Sequence, residues 1–121
     1  MLGQEYECDS GYALQKLQLA ILILAIGKGD VRSRLSSAFY RELHVIQDGD
    51  FPASILPEWL WIKQRLTRKG PCVREDGSIY VGAVDNTLHA MRNLTGSKIA
   101  QRLIDLRDKL EGYLRDKREE P

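Results

Sequence analysis

The sequence predicts an all-α fold: a bundle of four to five helices with a short extended or β-hairpin insert at about residues 72–81. Three observations carry that expectation. An unbroken apolar run from Leu19 to Ile26 is built from Leu, Ile and Ala. Through most of the remaining chain, apolar residues recur three and four apart, as they do along one face of a helix. Gly, Pro and acidic residues interrupt that pattern at intervals that leave segments of ordinary helix length.

The 121 residues suit a single helical domain, 1–121, with ends expected to fray at about 1–8 and 115–121. Hydrophobic residues at 43% and charged residues at 29% place the chain among folded globular proteins rather than disordered ones. Eighteen Lys and Arg against 17 Asp and Glu leave a net charge of +1. Overall charge therefore argues for no nucleic acid, anionic membrane or acidic substrate, and any such partner must be read from a local cluster. Cys8 and Cys72 lie far outside any metal-binding spacing and are expected to be reduced thiols of a cytoplasmic protein. The opening "MLGQEYECDS" is acidic where a secretory signal would be basic.

The first helix is expected from Asp9 or Ser10, either of which suits a cap, to Ile26. Its apolar part is shorter than the roughly 20 residues a membrane span needs, so it is not an anchor. Gly27, Lys28, Gly29 and Asp30 end it. Because Leu19 to Ile26 point in every direction around a helix, this half is expected to be surrounded, by the rest of the bundle or by a second subunit.

Asp30 is a good cap for a second helix, where Val31, Leu35, Ala38, Phe39 and Ile46 form the inner face and Arg32, Arg41 and Glu42 turn outward. "QDGDFPASILP" breaks it as a loop, with one helical turn after Pro52. Pro57 reads as the first position of a third helix that ends at Gly70-Pro71, placing Arg68 and Lys69 in its last turn. In the insert, Asp76-Gly77 is a two-residue turn signal between Val73 and the run Ile79, Tyr80, Val81. A fourth helix is expected from Ala83, with the stripe Val84, Leu88, Met91 and Leu94, closing at "LTGS". Thr95 or Ser97 would then cap a fifth, in which Ile99, Leu103, Leu106, Leu110 and Tyr113 align and Asp105–Lys109 and Glu111–Arg115 pair along the surface.

Two local signals carry chemistry. Between Trp59 and Arg74 lie Lys63, Arg65, Arg68, Lys69 and Arg74, without one acid. At 100° per residue, Ile55, Leu56, Trp59, Ile62 and Leu66 share one arc of the third helix, and Trp61 falls opposite, between Arg65 and Arg68. Trp61, Arg65, Arg68, Lys69 and Arg74 are thus candidate contacts for RNA or a single strand, by stacking and phosphate binding. The plainer alternative is that Trp61 covers a seam with another helix or subunit.

The second signal is a polar stripe, Asp85, His89 and Arg92, in which Asp85 would orient His89 as the general base of a small hydrolase or nuclease. No Ser or Cys sits in a nucleophile-elbow context, and no second His lies four residues away to share a metal. "GKGD" lacks the Ser or Thr of a phosphate loop. No metal or cofactor is therefore expected. The function expected first is a non-enzymatic interaction or regulatory protein that forms a homodimer through the first helix or Trp61, with no membrane contact. Nucleic-acid binding and His89-dependent hydrolysis are the second and third alternatives.

Overall fold

A computed structural model of the chain describes residues 10–119. It is a helical bundle with a small hairpin, as the sequence predicts. The helices are α1 (Ser10–Ile26), α2 (Val31–Arg41), α3 (Leu56–Leu66), α4 (Ala83–Ala90) and α5 (Asn93–Arg118). Two 3-10 turns, Leu43–Val45 and Asp48–Asp50, lead from α2 to α3, and strands β1 (Cys72–Val73) and β2 (Ile79–Val81) lie between α3 and α4.

Helix α5 is the spine. Its Ile99, Leu103, Leu106 and Leu110 recur at helical spacing and are fully buried. Three helices pack against it: α1 with Ala13, Leu17 and Ala20 inward, α2 with Leu35 and Ala38, and α3 with Trp59, Ile62 and Leu66. Asp30 caps α2 as expected, accepting the Ser33 N–H at 3.1 Å, and the Arg32 guanidinium beside it holds its carboxyl below the usual range. Arg32 also turns inward to donate to the Met91 carbonyl at 3.0 Å, rather than facing solvent as predicted. On the surface, Lys109 pairs with Glu58 of α3, and Asp105 accepts from Gln101 at 3.0 Å, in place of the predicted Asp105–Lys109 pair.

Several boundaries differ from the expected ones, each for a local reason. Helix α2 stops at Arg41, short of Ile46, because Glu42 leaves helical geometry and directs its carboxylate to Lys16 of α1 at 3.2 Å. Helix α3 begins at Leu56, which puts Pro57 in its second position, and ends at Leu66. There the Thr67 hydroxyl donates to the Lys63 carbonyl at 2.8 Å, so Arg68 and Lys69 lie beyond the helix. At the other end of the chain, α5 is helical through Arg118. Arg115, Lys117 and Arg118 suit the negative end of its dipole, and the Lys117 ammonium lies 5.8 Å from the Tyr113 ring. The fraying expected at residues 1–8 and the Asp9 cap fall outside the described residues, as does Cys8.

The break between α4 and α5 falls at Met91 and Arg92, both extended, and not at "LTGS". Leu94 consequently leaves the α4 stripe and is 69% exposed, and neither Thr95 nor Ser97 caps α5. Gly96, within the "LTGS" expected to close the fourth helix, instead serves close packing. It is buried in the first turn of α5, where an added Cβ would lie 2.8 Å from Val31 Cγ1. Glycine lets α5 cross α2 at that distance.

The hairpin forms, with a longer turn than the predicted two-residue one. Arg74 N–H donates to the Ser78 carbonyl at 2.7 Å and Gly77 N–H to Arg74 at 2.9 Å, with Gly77 at φ +89°, where a side chain would be strained. Residues 71–79 are all exposed. The base of the hairpin is tied to α4: Asn86 donates to the Gly70 carbonyl at 2.9 Å, and the Lys69 N–H donates to Thr87 Oγ1 at 3.0 Å.

The largest departure is on α1. The helix was expected to be surrounded, yet Leu19, Leu22 and Ile26 are 37%, 51% and 73% exposed. Their neighbours Ala20, Ile23 and Leu24 are buried, so the apolar run has an inner and an outer face.

The turn before α3 is pinned by a carboxylate that the sequence pattern did not single out. Asp48 Oδ1 accepts from Trp59 Nε1 at 3.0 Å and from Lys63 Nζ at 2.8 Å, and Phe51 stacks on Trp59 with centroids 5.3 Å apart. The Lys63 hydrogen bond chiefly holds the Asp48 carboxyl below its ordinary value.

Two outcomes are expected from this packing. Gly96→Ala gains helix propensity worth up to about 1 kcal/mol, but overpacking against the stiff, β-branched Val31 costs roughly 1–3 kcal/mol. The single variant should therefore melt below wild type, and the same change in a Val31→Ala background should be neutral or stabilising. The second outcome concerns pH. A depressed folded-state pKa at Asp48 contributes stability above the unfolded carboxylate pKa, which is lost as pH falls through the folded value. Asp48→Asn should lower stability at pH 7 by about 0.5–1 kcal/mol, the pair being nearly half exposed. In denaturant titrations, that difference should shrink below about pH 4.

Candidate functional site

Of the candidate residues, the structure brings four cations together where the end of α3 faces the α4–α5 corner. Arg65 projects from the last turn of α3, Arg68 and Lys69 from the turn beyond it, and Arg92 from the extended residue just before α5. They line a cleft of about 380 Å³ whose apolar surface includes Ala90 and Met91, and no carboxylate lines it. Arg65 and Arg68 also line an adjoining depression with Trp61 and Lys98. Among the described residues, none of Arg65, Arg68, Lys69, Arg92 and Lys98 is in a salt bridge, and the buried Nε of Arg65 lacks a hydrogen-bond partner.

The sequence pattern had grouped Arg92 with His89 and did not single out Lys98. Their convergence depends on where α5 starts, which the misread "LTGS" concealed. Arg74, by contrast, is not among the residues lining the cleft. It lies in the exposed hairpin with Nη1 3.4 Å from Ser78 Oγ.

Trp61 is half-buried and engaged within the chain. The Arg65 and Arg102 guanidinium carbons lie 4.9 and 4.5 Å from its ring centroid. Arg102 comes from α5, so Trp61 covers a seam between two helices of one chain, the plainer of the two readings of this residue. Such cation–π contacts are worth roughly 0.5–2 kcal/mol, and a base stacking on this ring would have to compete with them.

The polar stripe is divided. Asp85 faces α2, where its Oδ1 accepts from Ser36 Oγ at 2.9 Å, and its charge, after burial, helps raise the Tyr40 hydroxyl above its ordinary pKa. That carboxylate is therefore committed to Ser36. His89 is exposed near the end of α4, and Arg92 belongs to the basic cleft across the break. His44 lies apart in the 3-10 turn after α2, its ring centroid 6.4 Å from that of Phe39. Among the described residues, no cluster of three or more His, Cys, Asp or Glu is placed to hold a metal, and no helix is long and apolar enough to cross a membrane. Cys72 carries a free, exposed thiol on β1.

A second surface stands out by its lack of charge. From Tyr12 to Ile26, α1 carries one charged residue, Lys16, which is paired with Glu42. On its outer face, Leu19, Leu22 and Ile26 border a groove of about 270 Å³ that also reaches Arg41 and Glu42. The solvent face of a helix ordinarily carries the charged residues. No protein-family model, curated protein or solved structure matches the chain.

Proposed function

We propose that the protein is a non-enzymatic interaction module that self-associates through the outer face of α1. The observation that carries this reading is the exposed row Leu19, Leu22 and Ile26, with Tyr12 at 38% exposure on the same helix. From Tyr12 to Ile26 the helix is about 21 Å long at 1.5 Å per residue, and the residues exposed along its outer face are apolar or uncharged. Contiguous apolar surface of this kind marks a contact site.

A second copy of the chain is the occupant these residues favour. An isologous contact requires one patch to be complementary to itself. Here an apolar ridge, Leu19, Leu22 and Ile26, runs beside a groove that the same residues border, so two copies related by a two-fold axis can each seat the ridge of the other. The rim carries both signs of charge, Arg41 and Glu42, which suits a two-fold partner and gives no preference to a strongly acidic or basic one. Trp61 plays no part in this surface, because Arg65 and Arg102 already cover it.

Sedimentation at micromolar to hundreds of micromolar concentration tests the reading. Wild type should reach twice the 13.8 kDa chain mass. Leu22→Glu with Ile26→Glu should remain at one chain mass with unchanged helicity, since both side chains are exposed in the single chain. Loss of affinity should be tenfold or more, as for interface hot spots. Ile23→Glu, one residue along but buried, should instead unfold the protein. Wild type that stays at one chain mass throughout contradicts the proposal.

A further inference from the structure

We propose that the cleft between the end of α3 and the α4–α5 corner binds a small phosphate-bearing ligand, a phosphomonoester or diphosphate, through Arg65, Arg68, Lys69 and Arg92. The argument begins with charge. The whole chain is only one unit positive, yet four cations, three from residues 65–69 and Arg92 from the distant α4–α5 corner, line one cleft that no carboxylate lines. Several arginines elsewhere have an acceptor or a carboxylate close by. Arg32 meets Asp30 at 2.9 Å, and Arg34 donates to the Leu24 carbonyl at 2.6 Å. Arg102 shares a depression with Glu58, Asp105 and Asp108. Four uncompensated cations repel one another, and an anion that bridges them removes the cost. Guanidinium forks suit phosphate oxygens because they donate in pairs with fixed geometry, and the buried Arg65 Nε is a donor with no acceptor among the described residues.

The start of α5 adds to this field. Arg92 occupies its cap position without a side-chain cap, no acid lies in the first turn, and Thr95 of that turn lines the cleft. Free N–H groups and the positive end of the dipole there favour an anion that the arginines have already attracted.

Size and stacking distinguish a compact ligand from a nucleic-acid strand. The cleft, about 380 Å³, is on the scale of a small-molecule site. Strand binding draws on a charged track with open aromatic faces, whereas the nearby tryptophan is engaged by Arg65 and Arg102 and Arg74 stands outside the cleft. The apolar surface of Ala90 and Met91 gives an organic phosphate a place for its carbon part, so an ester should bind at least as well as the inorganic ion.

Calorimetric titration of the full chain in low salt, with inorganic pyrophosphate, with adenosine monophosphate and with a single-stranded oligonucleotide, tests the proposal. Saturable binding of pyrophosphate or the monophosphate at one site per chain is expected, weakening as salt rises. Arg68→Gln with Arg92→Gln should reduce affinity tenfold or more, and both side chains are exposed, so folding should be retained. Arg115→Gln, which removes a charge about 35 Å away along α5 at 1.5 Å per residue, should leave affinity unchanged. Three results overturn the proposal: no binding of either phosphate at millimolar concentration, an equal loss in Arg115→Gln and the double variant, or binding of the oligonucleotide alone. The last would assign the surface to a strand.

Discussion

Ile99, Leu103, Leu106 and Leu110 must be kept from water along about 16 Å of α5, at 1.5 Å per residue, and the placement of α1, α2 and α3 follows from covering them. Helices α1, α2 and α3 converge on that stripe. Fully burying one leucine or isoleucine contributes roughly 1.5–3 kcal/mol, so four in register outweigh the modest ion pairs on the surface. Gly96 sets how closely the arrangement can close, since it admits α2 to the first turn of α5 at Val31. With three helices committed to the spine and the short α4 packed on α2 and α3, no helix among the described residues remains to cover the outside of α1. The exposed Leu19, Leu22 and Ile26 are thus a geometric consequence of a small bundle built around one long helix, and a second copy is the simplest cover for them.

The same convergence produces the basic cleft. Because α3 ends at Leu66 and α5 starts at Asn93 on the same side of the bundle, the cations after one helix meet those before the other. The arginines divide by the backbone they can reach. Arg34 finds an open carbonyl at the end of α1 and Arg32 one at the end of α4, so both act as caps. Arg65, Arg68 and Arg92 face one another across a cleft without a carboxylate. A chain near neutrality can in this way concentrate positive potential at one place, where it bears on binding rather than on stability.

Much of the fold was legible in the sequence because its strongest signals are local. The three- and four-residue spacing of the α5 stripe, the Asp30 cap and the presence of a hairpin around Gly77 all depend on neighbouring residues, and all stand in the structure, although the turn itself is longer than the two residues expected. What was misread depended on distant ones. Gly96 resembles a helix stop until Val31 is placed beside it. The two readings of Trp61, stacking platform or seam cover, likewise cannot be separated until Arg102 arrives from α5, 41 positions along the chain. The candidate site was half legible for the same reason: Arg65, Arg68 and Lys69 are near in sequence, whereas Arg92 and Lys98 join them only once the start of α5 is known. Asp48 gave no signal beyond a loop acid, because its partners Trp59 and Lys63 lie on the next helix.

The spine is tested most directly by native-state hydrogen exchange, read residue by residue. If α5 is the element on which the others depend, the amides of residues 99–110 should exchange only through global unfolding and share the highest protection in the chain. Amides of the hairpin at 72–81 should exchange orders of magnitude faster. Were the segment 99–110 to exchange by local opening while α1 stayed protected, α1 would be the organising helix and the account would fail.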